Sequence, residues 1–386
     1  MKNKICFLLD WYPTQTNNGC VFAKHLICAI ADMGYECTVI APRILHSNMF
    51  KKDNRVPFKR IEKTEKGNNI YIYAPIYIHF SSKKETMKLS MESHYQAVKW
   101  VINRYKLKPD AVYGHFIYQS GLTAARIGSE LGIKSYCACG ENSLRLEKGQ
   151  QPYATGLEHC GWTKILKNLD GIVCVSSNNK NLLIDNEIVS SDTRMDVFPN
   201  SVNSKKFYVM NKREIRKKLG FPENAYIVAY VGALTKNKGA DRLNNALKKN
   251  DDTFSIFLGE GPVNLDCENI LFSGKVANER VPEYLNAADV FVLPTLGEGC
   301  SNAIIEALAC GLPVISSNLP FNDDILSNNN SIRINVQDED AIAEAIRTLK
   351  DNEILRNNLS EGAQYTGSAL DICKRAEKIL QFMEMI

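Results

Sequence analysis

Residues 293–314 read LPTLGEGCSNAIIEALACGLPV. The apolar run at 290–293 has the character of a buried strand, and it stops at Pro294. Glu298 then stands between Gly297 and Gly299, in a turn. Ser301 and Asn302 follow as helix-capping candidates, ahead of an apolar helical run at 303–309 and a second strand at 313–316. The first amides of such a helix have no partner inside it and are free to bind an anion. Glu306 lies about one turn in, on a side chain that can reach back to the helix mouth. Two carboxylates eight residues apart around a helix N-terminus suit a ligand with hydroxyls at one end, a diphosphate in the middle and a ribose at the other. Such carboxylates need only accept hydrogen bonds.

The same alternation continues on both sides. Towards the C-terminus and back to residue 206, strands are predicted at 226–231, 254–258 and 290–293, with helices at 240–247, 281–287 and 303–309 between or after them. In the first half, strands at 5–9 and 37–40 flank a helix at 21–33, reached through a turn at Asn17, Asn18 and Gly19. Strand and helix signals recur at 111–113, 121–131, 135–138, 171–175 and 178–186, and 70–80 reads as a strand or strand pair interrupted by Pro75. The expected class is α/β, with two Rossmann-like doubly wound parallel sheets facing across a cleft. The expected domains are 1–205 and 206–365, with 366–386 packing back on the first. A last helix at 370–385 is predicted after a polar, loop-like stretch.

Composition narrows the setting. With 386 residues, the chain exceeds one ordinary core, and 23 Gly and 13 Pro are too few for collagen or low-complexity disorder. The N-terminal run Ile5 to Leu9 meets Asp10 with no small-residue cleavage site, so it reads as a strand rather than a secretion signal. No stretch reaches the length of a membrane span, and the expected location is the cytosol. Twelve cysteines without a CxxC pair or zinc spacing fit that compartment.

Residues 1–200 hold 26 Lys and Arg against 18 Asp and Glu, and the remainder 21 against 25. The basic excess gathers at Lys51, Lys52, Arg55, Lys59, Arg60, Lys63, Lys66, Lys83, Lys84 and Lys88. It reads either as a solvated loop and helix face or as attraction to an anionic membrane or phosphorylated acceptor. No nucleic-acid motif accompanies it, so nucleic acid is not an expected partner. All six histidines, His25, His46, His79, His94, His115 and His159, lie in this half. The metal-like D-x-D at Asp338 and Asp340 precedes a helical run and reads as an N-cap with dipole-favoured acids. Gly259 and Gly261 suggest a dinucleotide fingerprint, but its third glycine position is Asn264.

With the E-x7-E pair Glu298 and Glu306 followed by A-x-x-x-G-x-P at 307–313, the chain resembles the retaining glycosyltransferases of the GT-B fold, family 4 (glycosyltransferase group 1). Other pieces fall in that family's order: a phosphate-type loop at 231–239, a G-x-G-P turn at 257–262, and a strand end at 272–276. Upstream are a linker at 198–207, a strand at 170–176, Gly114-His115, and Tyr12-Pro13 with Gly19. The resemblance implies a nucleotide-sugar donor, UDP-linked in expectation, as co-substrate. The acceptor would be a saccharide or lipid-linked saccharide, with cell-surface polysaccharide synthesis the expected setting, and no metal or other cofactor would be required.

On this resemblance Glu306 would bind the ribose hydroxyls and Glu298 the transferred sugar. Gly299, Cys300, Ser301 and Asn302 would line the sugar and phosphate, Val276 the nucleobase, and Lys238 the departing diphosphate. Gly19 would also lie on the donor, and His115 beside the reacting sugar. Glu141 and Asn142 would contact the acceptor, in place of a second histidine that many members carry. The family's phosphate-binding arginine falls at Ala233, with Lys236 a candidate substitute; Ser201, Asn203 and Cys20 are further departures. No covalent nucleophile is implied. Two other readings stay open at this level: a nucleotide-sugar epimerase of the same architecture, and a non-catalytic nucleotide-sugar-binding subunit.

Overall fold

The computed structural model describes residues 3–14, 19–45, 56–80, 84–142, 157 and 161–386. Asn17, Asn18, His46, Lys51, Lys52, Arg55, Lys83 and His159, named above, lie outside these residues. The chain divides into two compact units, Met1–Phe198 with Cys373–Ile386, and Pro199–Ile372.

The first unit contains β1 (Lys4–Leu9), α1 (Val21–Asp32), β2 (Glu36–Ile40), β3 (Arg43–Ile44), β4 (Lys59–Lys63), β5 (Asn69–Tyr73), β6 (Ile76–Tyr77) and α2 (Lys84–Arg104). After these come β7 (Ala111–His115), α3 (Leu122–Leu131), β8 (Lys134–Cys139), α4 (Trp162–Leu166), β9 (Gly171–Cys174), α5 (Ser177–Asp185) and β10 (Met195–Val197). Its main sheet has the order β10-β9-β8-β7-β1-β2-β5-β4, parallel except for the β4–β5 edge pair. Helices on both faces explain why β1 reads as an unbroken apolar run: Ile5 to Leu9 are all buried. Lys59, Arg60 and Lys63 occupy β4 rather than a loop or helix face. An edge strand can carry these cations because its outer side meets water, and charge there blocks pairing with another chain.

The second unit holds α6 (Lys212–Leu219), β11 (Ile227–Val231), α7 (Ala240–Leu247), β12 (Phe254–Leu258), β13 (Ile270–Gly274), α8 (Val281–Ala287), β14 (Val290–Leu293), α9 (Asn302–Ala309), β15 (Val314–Ser317), β16 (Ser331–Ile334), α10 (Glu339–Asp351) and α11 (Glu353–Ala369). Its sheet, β13-β12-β11-β14-β15-β16, is parallel throughout. In each unit the strand order reverses beside the first strand: β1 lies between β2 and β7, and β11 between β12 and β14. Ligands of open α/β sheets bind outside the carboxyl ends at such reversals. Asp338 caps α10 by accepting from the Asp340 and Ala341 amides, which accounts for the acidic cluster there.

The polar stretch before the last helix is itself helical. Leu359, Ala363 and Gly367 form a narrow buried stripe on α11, and a Cβ on Gly367 would come within 2.5 Å of Ala309 Cα on α9. Such close packing needs small residues rather than large apolar ones, so the hydrophobic signal in the sequence is weak. α11 thereby keeps residues 366–372 in the second unit, and the returning segment begins at Cys373. Residues 199–205 also belong there, with Val202 bridged to Asp371. The terminal helix α12 (Ile372–Phe382) seats Phe382 against Tyr136 in the first unit, and Tyr136 Oη donates to Met383 O at 2.9 Å.

A buried ion pair ties α6 to the strands of the second unit. Arg216 Nη2 lies 2.7 Å from Asp289 Oδ2, and its other nitrogens donate to Glu223 O, Ala225 O and Ala287 O. Asp289 Oδ2 also accepts from Ile227 N at 2.7 Å, and Oδ1 pairs with Lys212. Removing one member of a buried, hydrogen-bonded pair leaves the other uncompensated, at a cost of ~3 kcal/mol. Arg216→Met is therefore expected to lower the urea midpoint of the second unit by that equivalent. A midpoint unchanged from wild type would refute this account of the pair.

Candidate active site

In the second unit, the loop after β11 lies on the end of β14. Gly239 makes this possible, because its φ of +76° favours glycine and a Cβ there would stand 2.2 Å from Pro294 O. The Leu296 amide donates to Asn237 O at 2.9 Å, while Arg242 on α7 donates to Pro294 O at 2.6 Å and Lys236 O at 2.8 Å. Gly259 plays the equivalent part on the other side: its Cβ would fall 1.9 Å from Gly232 O, so the β12 turn can close on the same loop. The G-x-G-P turn is thus a packing device of the β11 loop.

These approaches bring Lys238 and Glu298 together. Lys238 Nζ is hydrogen-bonded to Glu298 Oε1, and Glu298 is buried between Gly297 and Gly299. Ser301 caps α9, its Oγ accepting from the Ile304 amide at 3.4 Å. Asn302 begins the helix, and its Oδ1 is buried with no partner among the described residues. The carbonyl of buried Cys300 accepts from Asn200 Nδ2 at 3.0 Å, which ties the mouth of the helix to the linker.

Glu306 is half-buried, one turn inside α9. Burial pushes its carboxyl up to about 7, against the opposing pull of Lys206. Lys206, directly before Phe207 in the linker, donates to Asn278 Oδ1 and lies 3.8 Å from Glu279. Burial holds its ammonium below the ordinary lysine value, with Glu279 and Glu306 acting the other way. Val276 is half-buried in the loop between β13 and Asn278. Nothing in the sequence alone singles out Lys206, Asn200 or Arg242 as site residues. The first two lie in the linker motif, and Arg242 stands one helical turn after Lys238. Ala233 and the Lys236 side chain are exposed, and Lys236 engages Arg242 through its carbonyl.

The first unit carries a second group of polar residues at the ends of β1, β7 and β8. His115 closes β7 opposite Leu9 of β1, buried against Phe22 and Phe116 at ring distances of 5.2 and 4.9 Å. Burial, reinforced by the Arg375 charge, pushes its imidazole down to about 3. The ring is neutral at physiological pH, a hydrogen-bonding group rather than a proton donor.

The following turn, Ile117–Gly121, is strained. Phe116 and Gln119 adopt φ of 74° and 59°, conformations that cost about 1–3 kcal/mol each outside glycine. Three side chains hold it. Glu141 Oε1 accepts from the Ile117 amide at 2.6 Å, Tyr77 Oη donates to Gln119 Oε1 at 3.0 Å, and Ser120 Oγ donates to Asp10 Oδ1 at 2.6 Å. Glu141 therefore has a backbone-holding role that its sequence neighbourhood did not reveal. Its own carbonyl accepts from Asn179 Nδ2 at 2.9 Å, and the next residue, Asn142, is half-buried.

The sequence shows Asp10 only as the residue that ends an apolar run. Burial pushes its carboxyl up to about 7; the Ser120 bond opposes this and the Glu141 charge adds to it. Gly19, half-buried, leads into α1 through Cys20, whose φ of 58° is the left-handed conformation that a second glycine would adopt freely.

Comparison with known proteins supplies what geometry alone does not. Residues 211–366 match the family model described as Glycosyl transferases group 1. The putative teichuronic acid biosynthesis glycosyltransferase TuaC of Bacillus subtilis is 28% identical over 97% of both chains. The Escherichia coli UDP-Gal:alpha-D-GlcNAc-diphosphoundecaprenol alpha-1,3-galactosyltransferase is 27% identical, over 54% of this chain and 58% of its own. Among solved structures, sucrose-phosphate synthase from Thermosynechococcus elongatus superposes with a TM-score of 0.78 at 19% identity, covering 99% of this chain and 98% of that one. The parallel sheets with polar groups at their carboxyl edges, the match over residues 211–366 and the full-length relative agree: the second unit matches the group 1 glycosyltransferases, and the chain as a whole has the GT-B fold and is similar to glycosyltransferases along its length.

Proposed function

We propose that the enzyme transfers a sugar from a UDP-linked donor to a saccharide or lipid-linked saccharide, with retention of anomeric configuration and without a divalent cation. The observation that carries this reading is the Lys238–Glu298 pair at the mouth of the Ser301-capped helix, with Glu306 one turn further in. Without donor, the lysine and the glutamate neutralise each other. A diphosphate gives Lys238 its anion and the sugar hydroxyls give Glu298 its donors, so binding exchanges one set of partners for another. The ribose hydroxyls fall to Glu306. The uridine and lipid-linked choices are supported by the E. coli relative, whose name specifies UDP-Gal and a diphosphoundecaprenol acceptor.

In the transfer step, the bond from the anomeric carbon to the diphosphate breaks and the acceptor oxygen bonds to the same face of that carbon. The acceptor proton passes to the departing phosphate oxygen. Lys238 and the free α9 amides stabilise the charge that grows on the diphosphate, the part a metal ion would otherwise take. Asp10 and neutral His115 form the acceptor side of the chemistry. A lipid-linked acceptor makes the enzyme a peripheral protein of the inner membrane face; among the described residues no helix is long and apolar enough to cross a membrane.

Calorimetry with UDP, GDP, ADP and NAD tests the donor assignment. UDP is expected to bind wild type and to bind Glu306→Ala at least about tenfold more weakly, since a hydrogen bond to a charged group is lost. Binding of NAD alone, or of none of the four, would remove the basis of the proposal.

The pH dependence follows from the carboxyl near 7. Ribose hydroxyls favour ionised Glu306, so binding releases a proton, and affinity is full above about pH 7 and falls as pH drops through it. Glu306→Gln is expected to flatten that profile; a wild-type affinity constant from pH 5 to 8 would contradict it.

Transfer is also expected to continue in excess chelator. Activity that vanished in EDTA and returned with magnesium or manganese would show that Lys238 and the helix amides do not suffice.

A further inference from the structure

The chain segment through β6 turns apolar side chains outward. Ile76, Ile78 and Phe80 are 46%, 48% and 50% exposed, whereas Tyr77 between the first two is buried. This is the period of an extended strand, but its outer face is apolar where water normally selects polar residues. Two further leucines adjoin it. The Leu45 amide donates to Tyr77 O at 2.8 Å, which sets Leu45 beside the strand. The Phe80 amide donates to Ser90 Oγ at 3.0 Å and the Ile78 amide to Ser93 Oγ at 2.8 Å, which sets the strand along α2 with exposed Leu89 next to Ser90. Five large apolar side chains, about half exposed, thus share one stretch of surface, and patches of this kind mark interaction sites.

Charge identifies the occupant. Between residues 43 and 88 the sequence carries eleven Lys and Arg against four Asp and Glu, and Lys88, next to Leu89, is exposed. A second copy of this chain would meet the same excess of positive charge and be repelled. An anionic lipid surface offers both an apolar interior for the side chains and negative headgroups for the cations. The strand is placed to couple this surface to the reaction: its inner residue Tyr77 holds Gln119 in the turn beside Asp10 and His115.

We propose that the Ile76–Ile78–Phe80 face, flanked by Leu45 and Leu89, is the surface by which the first unit docks on an anionic bilayer. It sets the turn at residues 117–121 over the headgroup of a membrane-borne acceptor. The proposal rests on the lipid-linked reading of the acceptor, and its test separates the two. Cosedimentation is measured with vesicles of phosphatidylcholine alone and with equal parts phosphatidylglycerol and phosphatidylcholine. UDP calorimetry is run on the same proteins.

Wild type is expected to sediment with the mixed vesicles, less at high salt, and not with phosphatidylcholine alone. The double variant Ile78→Glu/Phe80→Glu should bind at least about tenfold more weakly and Lys88→Glu several-fold more weakly, all with wild-type affinity for UDP. Lys88→Glu changes one exposed side chain and keeps the test valid should the double variant misfold. Wild type that ignores both vesicles, equal binding to both, or variants that bind like wild type would overturn the proposal. So would a wild-type dimer in ultracentrifugation that the double variant dissolves, since the face would then be a self-interface. Loss of UDP binding with vesicle binding intact would sink the donor assignment and uphold the docking surface.

Discussion

The second unit depends on the approach of two loops that only glycine permits. With no Cβ and a left-handed backbone, Gly239 lets the β11 loop rest on Pro294, and Arg242 clamps the contact from α7. Everything expected to hold the donor inherits that geometry. Lys238 precedes Gly239 by one residue, Glu298 follows Pro294 by four, and their ion pair exists because the loops carrying them are in contact. Gly259 closes the third side against Gly232. Parallel strands deliver all three loops to one edge, so the sheet supplies the direction and the glycines the distance.

The first unit solves a different problem with strain. Phe116 and Gln119 sit in conformations that a relaxed chain would leave, and the surroundings must outweigh that cost. Glu141, Tyr77 and the Asp10–Ser120 pair each contribute a hydrogen bond to the turn, from just beyond β8, from β6 and from just beyond β1 respectively. The same burial that makes these bonds strong moves the titrations: Asp10 rises towards neutrality while His115 falls far below it. A histidine and an aspartate at adjacent strand ends thereby exchange the roles their ordinary pKa values would suggest.

Legibility in the sequence followed the size of the local signal. The strand–turn–helix at 293–314 was readable because proline, paired glycines and a serine cap occur within a dozen residues, each with a strong conformational preference. α11 was not, since its packing stripe of Leu359, Ala363 and Gly367 is small and sits in polar sequence. The cations of β4 suit a loop or helix face as well as a strand, because an edge strand can be as charged as a loop. In the sequence Asp10 is only the polar end of an apolar run. Lys206 is silent in the sequence because nothing near it discloses Glu306, a hundred residues on.

By itself the sequence determined the α/β alternation, the two units and the Ser301-capped helix, because each rests on preferences that act within one or two turns of chain. Tertiary structure alone decided which charges meet. The pairing of Lys238 with Glu298, the bond from Glu141 to the Ile117 amide, and the raised carboxyls of Asp10 and Glu306 arise from contacts between segments far apart in the chain. Burial and charge act through space, and their distances exist only once the sheets have formed.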